Sequence, residues 1–246
     1  MRLLSLAVLC FCTPALFADD TARALVENAI KAHGGEAAVA KLRTMRIKAE
    51  GTMTLFPDQP GTALTVEDIW QMPDKYRTTG NYSARGMKVT QTQVIDGGKG
   101  WVEVNGQVQD LPKAAIAEML EQKYAEDLDR LSFLKDKDLE LSVLEEIKVS
   151  EKPAVGVRVK SKGHREVKLY FDKATGLLVK REHTVLDPLT SKEVTQEVVF
   201  ADYEVKDGVK HYKTITVYRD GKKVIDAKVT TIEFLDKVDP KLFLKP

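Results

Sequence analysis

Residues 209–234 read VKHYKTITVYRDGKKVIDAKVTTIEF. Two runs rich in β-branched and aromatic residues, Val209 to Arg219 and Lys222 to Phe234, flank Asp220-Gly221. Asp-Gly accepts the positive φ values of a two-residue type I′ turn, whose twist matches that of paired strands. The stretch therefore predicts an antiparallel hairpin. The same turn chemistry recurs at Asn105-Gly106 and Asp207-Gly208.

Outward from this hairpin, strand patterns dominate. Thr44 to Leu55, Ala63 to Met72, Lys75 to Tyr82, Met87 to Asp96 and Gly100 to Val104 form a first set. Leu139 to Val149, Ala154 to Lys160, Glu166 to Asp172, Leu177 to Leu186 and Lys192 to Lys206 form a second. Pro57, Pro60 and Pro73 fall between runs, where a missing N–H donor does least harm. Asp172 to Gly176 (DKATG) predicts a short hairpin loop. No helices alternate with the later strands, which argues against a parallel sheet. The chain reads as mainly β (α+β), built on a large antiparallel sheet.

Three helical patterns accompany the strands. Asp20 to His33 places Leu25, Val26, Ala29 and Ile30 at helical spacing, and Gly34-Gly35 stops it. Glu36 to Leu42 predicts a second short turn of helix. Lys113 to Leu134 follows Pro112, with Ile116, Leu120, Tyr124, Leu128 and Leu131 along one face. Glu118, Glu121, Lys123, Glu126 and Arg130 lie mostly away from that stripe, and Glu126, Asp127 and Asp129 read as a solvated face.

The N-terminus carries an export signal over residues 1–18. Arg2 is its positive region, Leu3 to Phe11 its apolar run, and Pro14 to Ala18 its cleavage zone. The apolar run is too short to span a bilayer. Both cysteines, Cys10 and Cys12, lie within this segment, so the remainder has no disulfide framework and no thiol ligand. Residues 19–246 show no linker or break in composition and are expected to form a single domain. The net charge is +1, with 38 basic and 37 acidic residues intermixed. That balance argues against nucleic acid and against charge-driven binding to an anionic membrane.

Catalytic signals are sparse. His33, His164, His183 and His211 show no metal-ligand spacing, although folding can still bring His183 and His211 together. Asp96-Gly-Gly-Lys-Gly100 lacks the following Ser/Thr and helix of a phosphate loop and predicts a hairpin turn. No Gly-x-Ser-x-Gly elbow is present. Paired carboxylates for hydrolysis have no fixed spacing in sequence and stay open. The expectation is a binding protein without cofactor or metal rather than an enzyme. Trp70, Met72, Tyr76, Trp101, Met119 and Tyr124, with Ile116 and Leu120, either fill the core or line a cavity between sheet and helix. Such a cavity binds acyl chains by removing methylenes from water, at about 0.8 kcal/mol for each CH₂.

Several short motifs occur in one order: Pro73-Asp-Lys-Tyr-Arg77, Asp96-Gly-Gly-Lys-Gly-Trp101 and Tyr170-Phe-Asp-Lys-Ala-Thr-Gly-Leu-Leu178. Phe200-Ala-Asp-Tyr203, Gly208-Val-Lys210 and the closing Asp239-Pro-Lys-Leu-Phe-Leu-Lys-Pro246 follow. In this order, behind an export signal, the chain resembles the LolA/LolB-like lipoprotein-carrier superfamily of bacterial envelopes. The resemblance implies a curved antiparallel half-barrel wrapped over helices, whose concave apolar side holds acyl chains of lipoproteins or another hydrophobic molecule. It implies that the Trp101 strand belongs to the sheet and that Lys113 to Leu134 forms part of a lid. Since the superfamily includes carriers, acceptors, lipid-binding lipoproteins and envelope-stress sensors, it implies periplasmic lipid binding or, alternatively, an envelope sensor or assembly module with protein partners.

Overall fold

The computed structural model describes residues 15–56 and 59–246. Residues 1–14 of the expected export signal lie outside the described residues. The expected cleavage position, Ala18, falls within the first helix, α1 (Ala15–Ala32). A short helix α2 (Glu36–Ala40) follows. Six strands then form one meander: β1 (Thr44–Met53), β2 (Thr62–Gln71), β3 (Lys75–Ala84), β4 (Met87–Asp96), β5 (Lys99–Val104) and β6 (Gln107–Asp110). Helix α3 (Lys113–Leu128) carries the chain to a second meander of β7 (Glu140–Val149), β8 (Lys152–Lys160), β9 (Val167–Asp172), β10 (Leu178–Leu186) and β11 (Glu193–Ala201). After a small hairpin, β12 (Glu204–Lys206) and β13 (Val209–His211), the chain returns through β14 (Thr214–Arg219) and β15 (Lys222–Phe234).

The order β6-β5-β4-β3-β2-β1-β15-β14-β11-β10-β9-β8-β7 makes one open sheet of 13 strands, antiparallel throughout. The first strand and the last meet in the middle, so β6 and β7 are the two free edges. Register shifts at Lys48/Ala49, Val217/Tyr218 and Leu144/Ile147 add the local twist that bulges supply. The sheet curves into a half-barrel over the helices.

Three expected turns form as read. Asn105-Gly106, Asp207-Gly208 and Asp220-Gly221 all take positive φ and join β5–β6, β12–β13 and β14–β15. The long strand expected over Lys192 to Lys206 is instead divided. Asp202 adopts φ 54°, which turns the chain out of the sheet, so β12 pairs only with β13. Val209 to Arg219 likewise divides, at Tyr212 and Lys213, into β13 and β14. Gly34 stops α1 as expected, with φ 111°; a Cβ there would sit 2.1 Å from the Gly208 carbonyl oxygen. The site admits only glycine because helix end and β12–β13 turn touch through backbone.

The third helix is shorter than its pattern. It ends at Leu128, and Leu131, fully buried, adopts φ 62° before a 3₁₀ turn over Ser132–Lys135. The helix therefore does not carry Leu131 on its stripe, and the left-handed residue redirects the chain to edge strand β7.

Directly opposed residues share a face of a sheet. Met45, Trp70, Tyr76 and Ile95 form one such row on the concave side, and Ile47 and Asp68 belong to the next. The main core fills this side. Val26 and Ile30 of α1 and Leu128 of α3 meet Met45, Val157, Leu169, Phe171 and Phe200. The convex face carries a smaller core of Ile69, Val94 and Trp101, covered by Val238 and Phe243 of the C-terminal tail.

Candidate functional site

The hollow of the half-barrel is filled by α1 together with the last turns of α3. The first turns of α3 are half-buried or exposed, whereas its last two turns and the residues that follow are enclosed: Lys123, Ala125, Asp127 and Leu128, and Arg130 just past its end, are all buried. This reverses the expectation that Lys123, Glu126, Asp127, Asp129 and Arg130 face water. The reason lies in the spacing. Lys123, Asp127 and Arg130 recur at i, i+4 and i+7, on the same side of the helix as Ile116 and Leu120. The stripe that begins apolar ends charged, and both parts face inward.

These buried charges are paired. Lys123 Nζ donates to the Pro73 carbonyl at 2.8 Å and to the Asp127 carboxylate. Arg130 lies 3.5 Å from Asp127, donates to the Glu126 carbonyl at 2.6 Å, and stands 4.7 Å above the centre of the Trp70 ring. Asp129 forms an ion pair with Arg181 of β10. On the sheet, Trp70 packs at 5.4 Å against Tyr76, whose hydroxyl donates to Asp68 at 3.1 Å. Burial pushes the Asp68 carboxyl up to about 7, against the hydrogen bonds it accepts from Thr78 and Tyr76. Burial likewise raises Asp129 to about 7, with Arg181 and Arg130 opposing. His183 is held neutral, its pKa lowered to about 2 by burial and by the charges of Arg181 and Arg165; neither ring nitrogen has a hydrogen-bond partner.

Outside the hollow, α3 is fastened to the β8–β9 turn. Glu118 takes both arms of the Arg165 guanidinium, at 3.0 and 2.7 Å, and accepts the Leu186 N–H at 2.9 Å. Burial alone would raise the Glu118 carboxyl, but these donors outweigh it and hold it below its ordinary value. Glu121 accepts the Arg165 N–H and pairs with His164 Nδ1, and the Tyr124 ring stacks on His164 at 3.8 Å.

The expected cavity residues are dispersed. Trp70, Tyr76 and Tyr124 adjoin the main core. Ile116, over Gly100, and Met119 and Leu120 are half-buried on the outer turns of α3. Met72 sits just beyond β2, its N–H bonded to the Arg43 carbonyl at 2.9 Å. Trp101 lies on the opposite face, where its indole N–H donates to the Phe243 carbonyl at 3.2 Å, so it does not line the hollow with Trp70. The register places Trp70 and Trp101 in different rows, a relation that their spacing in sequence does not reveal. With α3 in place, the hollow retains a cavity of ≈ 30 Å³, bounded in part by Met45, Asp129, Arg130, Tyr203 and Tyr212. No group of three or more His, Cys, Asp or Glu is arranged to hold a metal among the described residues.

Solved structures share this architecture. The chain matches a LolA superfamily protein from Nitrosomonas europaea with a TM-score of 0.57 over 91% of its own length and 97% of that protein's, at 12% identity. This is the LolA-like fold. A DUF1329 family protein from Desulfovibrio piger matches equally, with a TM-score of 0.57, 11% identity and coverage of 91% and 97%. No family model and no curated protein matches the sequence. No helix among the described residues is long and apolar enough to cross a membrane.

Proposed function

We propose that this is an exported binding protein for acyl-chain ligands, lipid or lipid-modified protein, seen with its hollow closed. The observation that carries the reading is the position of α3. Its last two turns enter the concave side of a LolA-like half-barrel, the place where such a scaffold offers a hollow, and together with α1 they fill it. The residual ≈ 30 Å³ is far below the roughly 300–1,000 Å³ of ordinary ligand sites. Loading therefore requires α3 to withdraw from the sheet.

The way α3 is held supports such a movement. Its inner turns meet the sheet through ion pairs and hydrogen bonds as well as through apolar contact. Several buried polar atoms there have no hydrogen-bond partner, among them Trp70 Nε1, Glu126 Oε2, Asp129 Oδ1 and Arg181 Nε. Unsatisfied buried groups destabilise a packed state by about 1–3 kcal/mol each. The closed form is thus less stable than an apolar plug of the same volume would make it. On this reading the protein holds its ligand without transforming it and works in the periplasm, a location that the export signal expected over residues 1–18 supports.

Mass spectrometry of protein purified from cell envelopes tests the proposal. Copurified acyl lipid, and saturable binding of a fluorescent fatty acid by the delipidated protein, are the expected results. Protein that carries no lipid and ignores the probe contradicts it.

A further inference from the structure

Arg181 stands alone on an apolar wall. Its directly opposed neighbours are Leu169 on β9 and Val198 on β11, both buried. The next residue on the same face of β10 is His183, which is neutral. The sheet brings no carboxylate to the Arg181 guanidinium; its only ion pair among the described residues is with Asp129, at the end of α3. The side chain of Arg181 is 4% exposed, and its Nε has no acceptor. Asp129 leaves Oδ1 unbonded, although Arg130, Glu126 and Asp127 also act on it from α3.

A cation in such a setting is stabilised only by a close anion. While α3 fills the hollow, Asp129 is that anion. When α3 withdraws, Arg181 is left without an anion, beside neutral His183 and Tyr212, with a vacant place at its fork. We infer that the ligand is an acyl chain with an anionic head, carboxylate or phosphate, and that Asp129 is an internal stand-in for that head. This rests on the acyl-chain reading above and narrows it. An uncharged ester of the same chain would bury as many methylenes and leave Arg181 unpaired.

The test is a titration of the full chain, at pH 8, with cis-parinaric acid and with its methyl ester. The acid is expected to bind at least about tenfold more tightly, the scale of a charge-assisted hydrogen bond. Arg181→Met should remove that preference by weakening the acid alone. Asp129→Asn, which keeps shape and removes the competing charge, should strengthen the acid and serves if Arg181→Met does not fold. Acetate at the probe's concentration should not compete. Equal affinity for acid and ester, with binding intact, overturns the assignment of Arg181 while leaving the acyl-chain reading in place. Competition by acetate at that concentration would mark a site for free anions and also overturns it. Failure of both probes to bind overturns the two together.

Discussion

Glu118 of α3 and Arg165 of the β8–β9 turn meet as two flat groups joined by two hydrogen bonds, at 3.0 and 2.7 Å. Bidentate pairs of this kind fix orientation as well as distance. The pair joins the outer half of the helix to the second meander, while the inner half lies against both meanders. The helix is therefore held at two places by different means, a surface clasp and a buried polar seam.

Weakening the clasp should favour loading. Glu118→Gln keeps the shape and removes the charge. It is expected to lower stability by about 1 kcal/mol, as read from the urea midpoint. It should also speed association of a fluorescent fatty acid in stopped-flow mixing. An association rate equal to or below that of the parent protein would show that the clasp does not restrain α3.

The seam should make stability depend on pH in an uncommon direction. Asp68 has its folded-state pKa raised from 3.8 to about 7. The folded protein then keeps a proton that the unfolded chain releases. The stability associated with that proton is complete below pH 3.8 and is lost as the pH rises towards 7. Asp68→Asn should therefore gain stability relative to the parent across this interval, on the order of 2–4 kcal/mol by pH 8, with little difference at pH 4. Denaturation curves of both proteins at several pH values decide the point; a difference that is constant with pH would refute it.

Much of the fold is legible in the sequence, because turn chemistry is local. Asn105-Gly106 and Asp220-Gly221 define hairpins regardless of what surrounds them, and each forms as its residues dictate. Positions where the chain leaves a pattern are less legible. Asp202 and Leu131 take positive φ although neither is a glycine, and each cuts an element that periodicity would continue. The site was least legible of all. Lys123 and Arg130 look like solvent-facing residues until their i, i+7 relation to the Ile116 stripe is noticed, and Arg181 and Asp68 gain meaning only from strand register. Trp101 illustrates the converse, since an aromatic residue in the right strand points to the wrong side.

Trp101 should consequently matter for stability and not for binding. Trp101→Phe removes the hydrogen bond to the Phe243 carbonyl and part of the convex core. A loss of about 1–3 kcal/mol is expected, with probe affinity unchanged. A marked loss of affinity in the folded variant would return this residue to the ligand site.

The contact of Gly34 with the β12–β13 turn should be intolerant of any side chain. Gly34→Ala introduces both a strained φ of 111° and a Cβ 2.1 Å from a carbonyl oxygen. A cost of about 2–4 kcal/mol is expected in thermal or urea unfolding, against a few tenths for an ordinary surface change. A neutral result would mean that α1 and the β12–β13 turn are not in contact in solution.

Hydrogen exchange of α3, followed with and without a saturating fluorescent fatty acid, reaches the central claim most directly. If the inner turns of α3 are a plug that the ligand replaces, amides of Lys123–Leu128 should lose protection on binding while those of the β1–β15 pair keep theirs. Probe binding that leaves the Lys123–Leu128 amides as protected as before would show that the hollow behind α3 is not where the ligand goes.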